Sequence, residues 1–164
     1  MPSPTVVAVP SVDAFEPLPP ERATTWSRFG EWDTEYFPTM VGLRVEEIRT
    51  GYARMRLPYR PELRQPAGVV HGGAIATLID TVVVPAIGAA YDEMPLMLTL
   101  TMNVQYLGAL REEDAVADGW VTRRGRSIVF CEVVVRGADT EALVATGHLV
   151  YSVRPSPSGK SVID

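Results

Sequence analysis

From Ala74 to Ala90 the chain is an almost unbroken run of small and aliphatic residues, and Thr77, Asp80 and Thr81 are its polar exceptions. A run with no wet face predicts a helix buried on all sides, extending from about Gly72 to Tyr91. It is too short and too interrupted to cross a bilayer, which takes about 20 apolar residues. Pro85 lacks an N–H, so a kink or an early end is expected there. Before this helix, residues 41–47 and 51–58 read as strands around a turn at Arg49-Thr50-Gly51. After Pro95 the alternation is regular. Leu98, Leu100, Met102, Val104 and Tyr106 are expected on one face, with Thr99, Thr101, Asn103 and Gln105 on the other. Residues 115–122, 127–136 and 142–153 are three further strands, broken at 123–126 and 137–140.

The layout is strand, strand, long helix, then four strands. With no further helix to cover it, a mostly antiparallel sheet of about six strands must wrap the one helix. The expected class is α+β, in the arrangement known as the hot-dog fold. Residues 1–24 carry Pro2, Pro4, Pro10, Pro17, Pro19 and Pro20 and read as an extended arm without a core of its own. Residues 25–40 are expected to be helical, because Trp26, Phe29, Trp32, Tyr36 and Phe37 recur at near-helical spacing. The main domain is expected over 41–154 and a loose tail over 155–164.

Composition narrows the function. The 164 residues fit one domain with a real core, and the net charge of −5 argues against nucleic acid or an anionic membrane as partner. The sole cysteine, Cys131, sits in an apolar strand and is expected to be inert; with no secretory signal pattern, a cytoplasmic location is expected. His71 and His148 form no metal-binding spacing, and no metal or cofactor is expected.

Chemistry concentrates on the helix. Gly72-Gly73 allow close approach to a helix N-terminus, whose first N–H groups lack internal partners and sit at the positive end of the dipole. Such N–H groups polarise a carbonyl or hold an oxyanion. Asp80 is a carboxylate in apolar surroundings, which must be paired, hydrogen-bonded or protonated. Gly72 and Asp80 lie eight residues apart, about 12 Å along the axis. They do not easily reach one carbonyl from the same helix, whereas two antiparallel copies could supply one group each. A homodimer with two interfacial sites is therefore expected.

The residues that carry this chemistry resemble a known family. Gly68-Val69-Val70-His71-Gly72-Gly73 followed by Leu78-Ile79-Asp80 is similar to the phenylacetic-acid-pathway and second 4-hydroxybenzoyl-CoA branch of hot-dog acyl-CoA thioesterases. Met102-Asn103-Val104-Gln105-Tyr106 resembles its next strand, and Arg124-Gly125-Arg126-Ser127 the turn before its fifth strand. The likeness covers residues 41–153. It implies an acyl-CoA substrate, cleaved without a cofactor by a homodimer or homotetramer. It implies that the Gly72 N–H binds the thioester carbonyl and that Asp80 of the partner subunit is general base or nucleophile. Thr99 stands where relatives place a serine that orients water. His71 fixes the loop through backbone hydrogen bonds. Gln65 stands where relatives often have asparagine; it, Gly73, Asn103, Arg124, Gly125, Arg126 and Ser127 are implied at the substrate. Arginines meet coenzyme A phosphates through bidentate bonds, or else form a solvated turn. Met94, Leu96, Met97 and the aromatics of 26–37 are expected around a medium or long acyl chain.

Two other readings remain at this stage. One is a non-catalytic acyl-CoA or acyl-carrier-protein binding module, suggested by Gln65 and the arm. The other is a hot-dog hydratase, whose aspartate–histidine spacing His71–Asp80 does not reproduce. No nucleophile elbow and no nucleotide-type phosphate loop occur in the chain.

Overall fold

An apolar helix must be covered, and here one sheet covers it. The computed structural model describes residues 8–156. Two short helices, α1 (Pro20–Ser27) and α2 (Phe37–Val41), precede strands β1 (Arg44–Arg49) and β2 (Tyr52–Leu57). The long helix α3 (Gly72–Gly88) follows, and then β3 (Leu96–Tyr106), β4 (Ala115–Arg124), β5 (Ile128–Gly137) and β6 (Leu143–Arg154). The strands form a six-stranded sheet in the order β1-β2-β4-β5-β6-β3, with each neighbouring pair antiparallel. This is the hot-dog arrangement that the pattern predicts.

The core lies between α3 and the concave face of the sheet. Ile75, Leu78, Ile79, Val82, Val83, Ala86 and Ile87 of α3 are buried against Ala53, Met55, Ala117, Val133 and Leu149 of the strands. Glycine sets the separation. A Cβ at Gly147 would lie 2.5 Å from Ile79 Cγ2, and one at Gly119 would lie 2.8 Å from Val82 Cγ1. The strands thus bring bare backbone against the helix's branched side chains. The helix is not covered on every side within one chain. Gly73, Ala76, Thr77, Asp80 and Val84, spaced three or four apart, are at least partly exposed.

Three of the differences from the expected boundaries have a clear local reason. The long helix ends at Gly88 rather than Tyr91, three residues past Pro85, and its last turns close through Ala90 N–H to Ile87 O and Tyr91 N–H to Gly88 O. Val41 ends α2 instead of opening a strand, because Gly42 turns left-handed (φ 91°) and caps that helix; β1 begins at Arg44. The helix expected over 25–40 does not form as one piece. α1 starts at Pro20, whose fixed φ suits a first turn, and it is capped at Arg28; Gly30 (φ 96°) then turns the chain away.

The arm packs on the outer face of the sheet. Phe15 stacks on Tyr52 at 5.0 Å, and Val9, Val12 and Phe15 cover a cluster of Tyr52, Trp120 and Val134. Pro2, Pro4 and the tail beyond 156 lie outside the described residues. On the same outer face Asp118 is buried, accepting from Tyr52 Oη (2.5 Å) and Arg54 Nε (2.8 Å). Among the described residues, no helix is long and apolar enough to cross a membrane.

The close approach at Gly147 yields a stability prediction. Gly147→Val should lower unfolding free energy by about 1–3 kcal/mol, the cost of overpacking a filled core. Urea denaturation followed by circular dichroism measures it, and an unchanged midpoint would show that the helix yields.

Candidate active site

The start of α3 is organised by His71. Its backbone is extended, and its ring Nδ1 accepts the Gly73 N–H at 2.9 Å, so the imidazole is the helix N-cap. Its own N–H donates to Leu63 O at 2.7 Å and its carbonyl accepts from Ala74 N–H at 2.9 Å. The His71 side chain thus meets backbone, as the sequence reading expected. Because Gly73's donor is taken, the first free one is the Gly72 N–H, which as the first helical residue has no intrahelical acceptor. The Gly72 carbonyl accepts from Tyr106 Oη at 2.8 Å, and a Cβ at Gly72 would lie 3.2 Å from the Tyr106 ring. Tyr106 therefore pins this helix end to β3.

Asp80 lies two turns further on and is half-buried. Its Oδ1 accepts from Tyr151 Oη (2.6 Å) and Thr99 Oγ1 (2.9 Å). Tyr151 Oη also contacts the Asp80 carbonyl at 2.8 Å. Both side-chain bonds fall on one oxygen, and Oδ2 takes none among the described residues. The carboxylate is thereby oriented without being consumed. Burial first, and then the charge and hydrogen bond of Asp80, push the Tyr151 hydroxyl well above the usual tyrosine range. Tyr151 therefore remains a proton donor to the carboxylate.

Thr99 reaches Asp80 through a bulge. Thr99 pairs with Tyr151 and Thr101 with Val150, so Leu100 is an extra residue. Before the bulge, Met97 and Thr99 face α3; after it, Met102, Val104 and Tyr106 do, paired with Leu149, Gly147 and Ala145. The expected strict alternation, with Thr99 opposite Met102, is thus corrected: one inserted residue inverts the side-chain parity. Thr101, Asn103 and Gln105 fall on the outer face, so Asn103 is turned away from Asp80.

Asp80 and Thr99 sit on the wall of a cavity of about 470 Å³. Its other walls include Phe29, Trp32, Val84, Met94, Met97 and Tyr151. The expected pocket residues Met94, Leu96 and Met97 are all there, with the aromatics Phe29, Trp32, Tyr36 and Phe37. Gly72 and Gln65 are not. Gln65 forms a tight turn through its backbone, with N–H to Val69 O (2.9 Å) and O to Gly68 N–H (2.9 Å). Residues Arg123 to Ser127 are exposed, with Gly125 N–H closing the hairpin on Ile128 O (2.8 Å). Arg124 donates to Ala90 O (3.2 Å) and lies over the Tyr91 ring, beside the far end of α3. One chain therefore brings Asp80 and Thr99 together but not Gly72, Gln65, Asn103 or the arginine turn. The sequence reading missed Tyr151 and Tyr106 as partners. Their signal was faint: each is a tyrosine on the inward face of a strand beside a helix polar group.

A protein-family model described as the thioesterase superfamily matches residues 67–144. A "Putative esterase" of Halobacterium salinarum is 37% identical over 108 residues, 62% of this chain and 71% of its own. A conserved protein of Pseudomonas aeruginosa superimposes with a TM-score of 0.67 at 28% identity, covering 73% of this chain and 94% of that one. The Escherichia coli PaaI protein, from the phenylacetic acid degradation operon, gives a TM-score of 0.71, covering 82% and 96%; at 13% identity it shows the fold alone.

Buried acidic hydrogens predict an alkaline weakness. Burial holds the Cys131 thiol up to about 12, and Tyr52 and Tyr151 higher still, so all three stay protonated in the native state. In an unfolded chain they ionise near 8.5 for cysteine and 10 for tyrosine. Their stabilisation is full below about pH 8.5 and is lost as pH rises from there through about 12. Melting temperature should fall steadily between pH 8.5 and 11, and less steeply in Tyr151→Phe. A flat profile would contradict this.

Proposed function

We propose that this chain, which belongs to the thioesterase superfamily, hydrolyses an acyl-CoA thioester to a carboxylate and free coenzyme A. The observation that carries the reading is Asp80, a carboxylate tethered at one oxygen by two hydroxyls, bare at the other, and set on the wall of an apolar cavity. In this reading Oδ2 serves as general base toward water, or attacks the thioester carbonyl itself. Either route builds negative charge on the carbonyl oxygen, and an oriented N–H at the start of α3 stabilises it. Thr99 and Tyr151 position the carboxylate, and His71 positions the N-terminus.

The donor near Asp80 is supplied by a second copy. Gly72 and Asp80 of one helix are about 12 Å apart, and the lining of the Asp80 cavity does not include Gly72. A pairing of copies is supported by β3, which joins only β6 and leaves its other edge open among the described residues. Leu98 and Leu100 on that strand are 58% and 54% exposed. Such an apolar open edge is a template for another strand. The half-exposed stripe Gly73–Thr77–Asp80–Val84 is composed of small and short residues that allow a second helix close by. Arg124 and Arg126, at the exposed β4–β5 turn, are assigned to the phosphates of coenzyme A.

Asp80→Asn should reduce thiol release from acyl-CoA by at least about a hundred-fold, the lower range for a general base, with the oligomer intact by size-exclusion chromatography. Unchanged turnover would remove Asp80 from the mechanism. Gly72→Val, which presses on Tyr106, should also be inactive. Co-expressing Gly72→Val with Asp80→Asn tests the shared site: a mixed dimer regains one intact site only if Gly72 and Asp80 come from different copies. No recovery in isolated mixed dimers would place both groups in one subunit.

A further inference from the structure

Besides Tyr151 on β6, one segment outside the family-matched residues 67–144 reaches the candidate site. Trp26 is buried, and its ring lies so flat on α3 that a Cβ at Gly88 would be 2.5 Å from Cζ2. Arg22 adds a bond to Ala89 O at 3.0 Å. From this anchor a ladder of rings runs back along the helix. Trp26 stacks on Phe29 (6.1 Å), Phe29 meets Trp32 edge-on (5.1 Å), and Trp32 meets Tyr36 edge-on (5.3 Å). Phe29, Trp32 and Tyr36 then line the cavity that holds Asp80. Mutually packed aromatics make a stiff wall rather than a loose flap.

Resting on the thioesterase reading, we propose that this wall, residues 26–38, is the specificity determinant and selects apolar acyl groups of about ten carbons. Length follows from geometry. The cavity runs from Asp80 to Met94, whose Sδ lies 3.4 Å from the Cβ position of Gly88. Eight helical residues separate these ends, about 12 Å. An extended carbon chain advances about 1.25 Å per bond, from a bond of about 1.5 Å and an angle near 111°. About ten bonds therefore fill the distance. Ten methylene groups, each roughly the 30 Å³ of a water, need about 300 Å³, which fits within the cavity of about 470 Å³.

Polarity follows from the lining. Asp80, Thr81, Thr99 and Tyr151 supply polar groups, the aromatic wall adds only the neutral Trp32 indole N–H and Tyr36 hydroxyl, and among the described residues no lysine or arginine lines the cavity. An acyl group that ends in a second carboxylate would be buried without a counter-charge, beside the charge of Asp80. Such dicarboxylic acyl groups are rejected.

The test is a kcat/KM profile for straight-chain acyl-CoAs from two to sixteen carbons, with phenylacetyl-CoA and the ω-carboxylated decanoyl analogue. The expected maximum lies at eight to twelve carbons, with the ω-carboxylated analogue at least about a hundred-fold poorer. Met94→Trp, which closes the far end, should lower the decanoyl-to-butyryl ratio by about ten-fold or more. A maximum at two to four or at sixteen carbons, a flat profile, a preference for phenylacetyl, or an unmoved ratio would overturn the assignment. Tryptophan fluorescence separates this from failure of the catalytic reading. Decanoyl-CoA, and not coenzyme A alone, should shift emission of the Asp80→Asn protein, and Trp32→Phe should remove most of the shift. That shift without thiol release from any wild-type assay would leave the acyl wall standing and refute hydrolysis; no shift in the folded protein would refute the wall.

Discussion

Everything in this molecule depends on how closely one apolar helix sits against one curved sheet. Gly119 and Gly147 bring strand backbone against Val82 and Ile79, leaving no room for even a methyl group. That contact fixes the height of α3 above β4 and β6. It therefore fixes Asp80 relative to Tyr151, three positions beyond His148 on β6, and through the β3–β6 register relative to Thr99. The site inherits its precision from the core, because groups on packed elements are held by neighbours whose own rotamers are locked.

A carboxylate on such a helix is a liability that the fold turns into a device. An isolated carboxylate in apolar surroundings is costly. Two hydroxyls on one oxygen offset that cost while keeping the other oxygen open. Asp118 shows the opposite solution on the outer face: Tyr52 and Arg54 both engage it beneath the arm. The more deeply buried carboxylate is thus tied into an ion pair, and the half-buried one faces a cavity. Partnering by neutral hydroxyls rather than by an arginine leaves the charge of Asp80 unspent.

Division of labour along α3 explains why one chain looks incomplete. The His71 cap, the Gly72 N–H and Tyr106 form a rigid N-terminal unit. The Asp80 carboxylate and the aromatic wall form a second unit two turns away. The small residues between them leave the helix accessible. Packing of the N-terminal segment against Gly88 adds an aromatic wall beside the helix that the sheet covers.

The sequence by itself determined the layers and singled out the candidate site residues. An apolar run with no wet face had to be a covered helix, and alternating strands with no second helix had to wrap it. Gly72 before a helix and Asp80 within it were legible because both are conspicuous exceptions to their surroundings. Only the tertiary structure decided which side chains meet. The bulge at Leu100 inverts the parity of β3, and no local pattern marks it, since Leu98, Leu100 and Met102 alternate perfectly in the sequence. Aromatics at helical spacing in 26–37 form a ring ladder instead of a helix, because Gly30 turns the chain and ring-to-ring packing depends on a surface that α3 supplies. Tyr151 became Asp80's partner through sheet register 71 residues away, a long-range match that exists only once the sheet has closed on its helix.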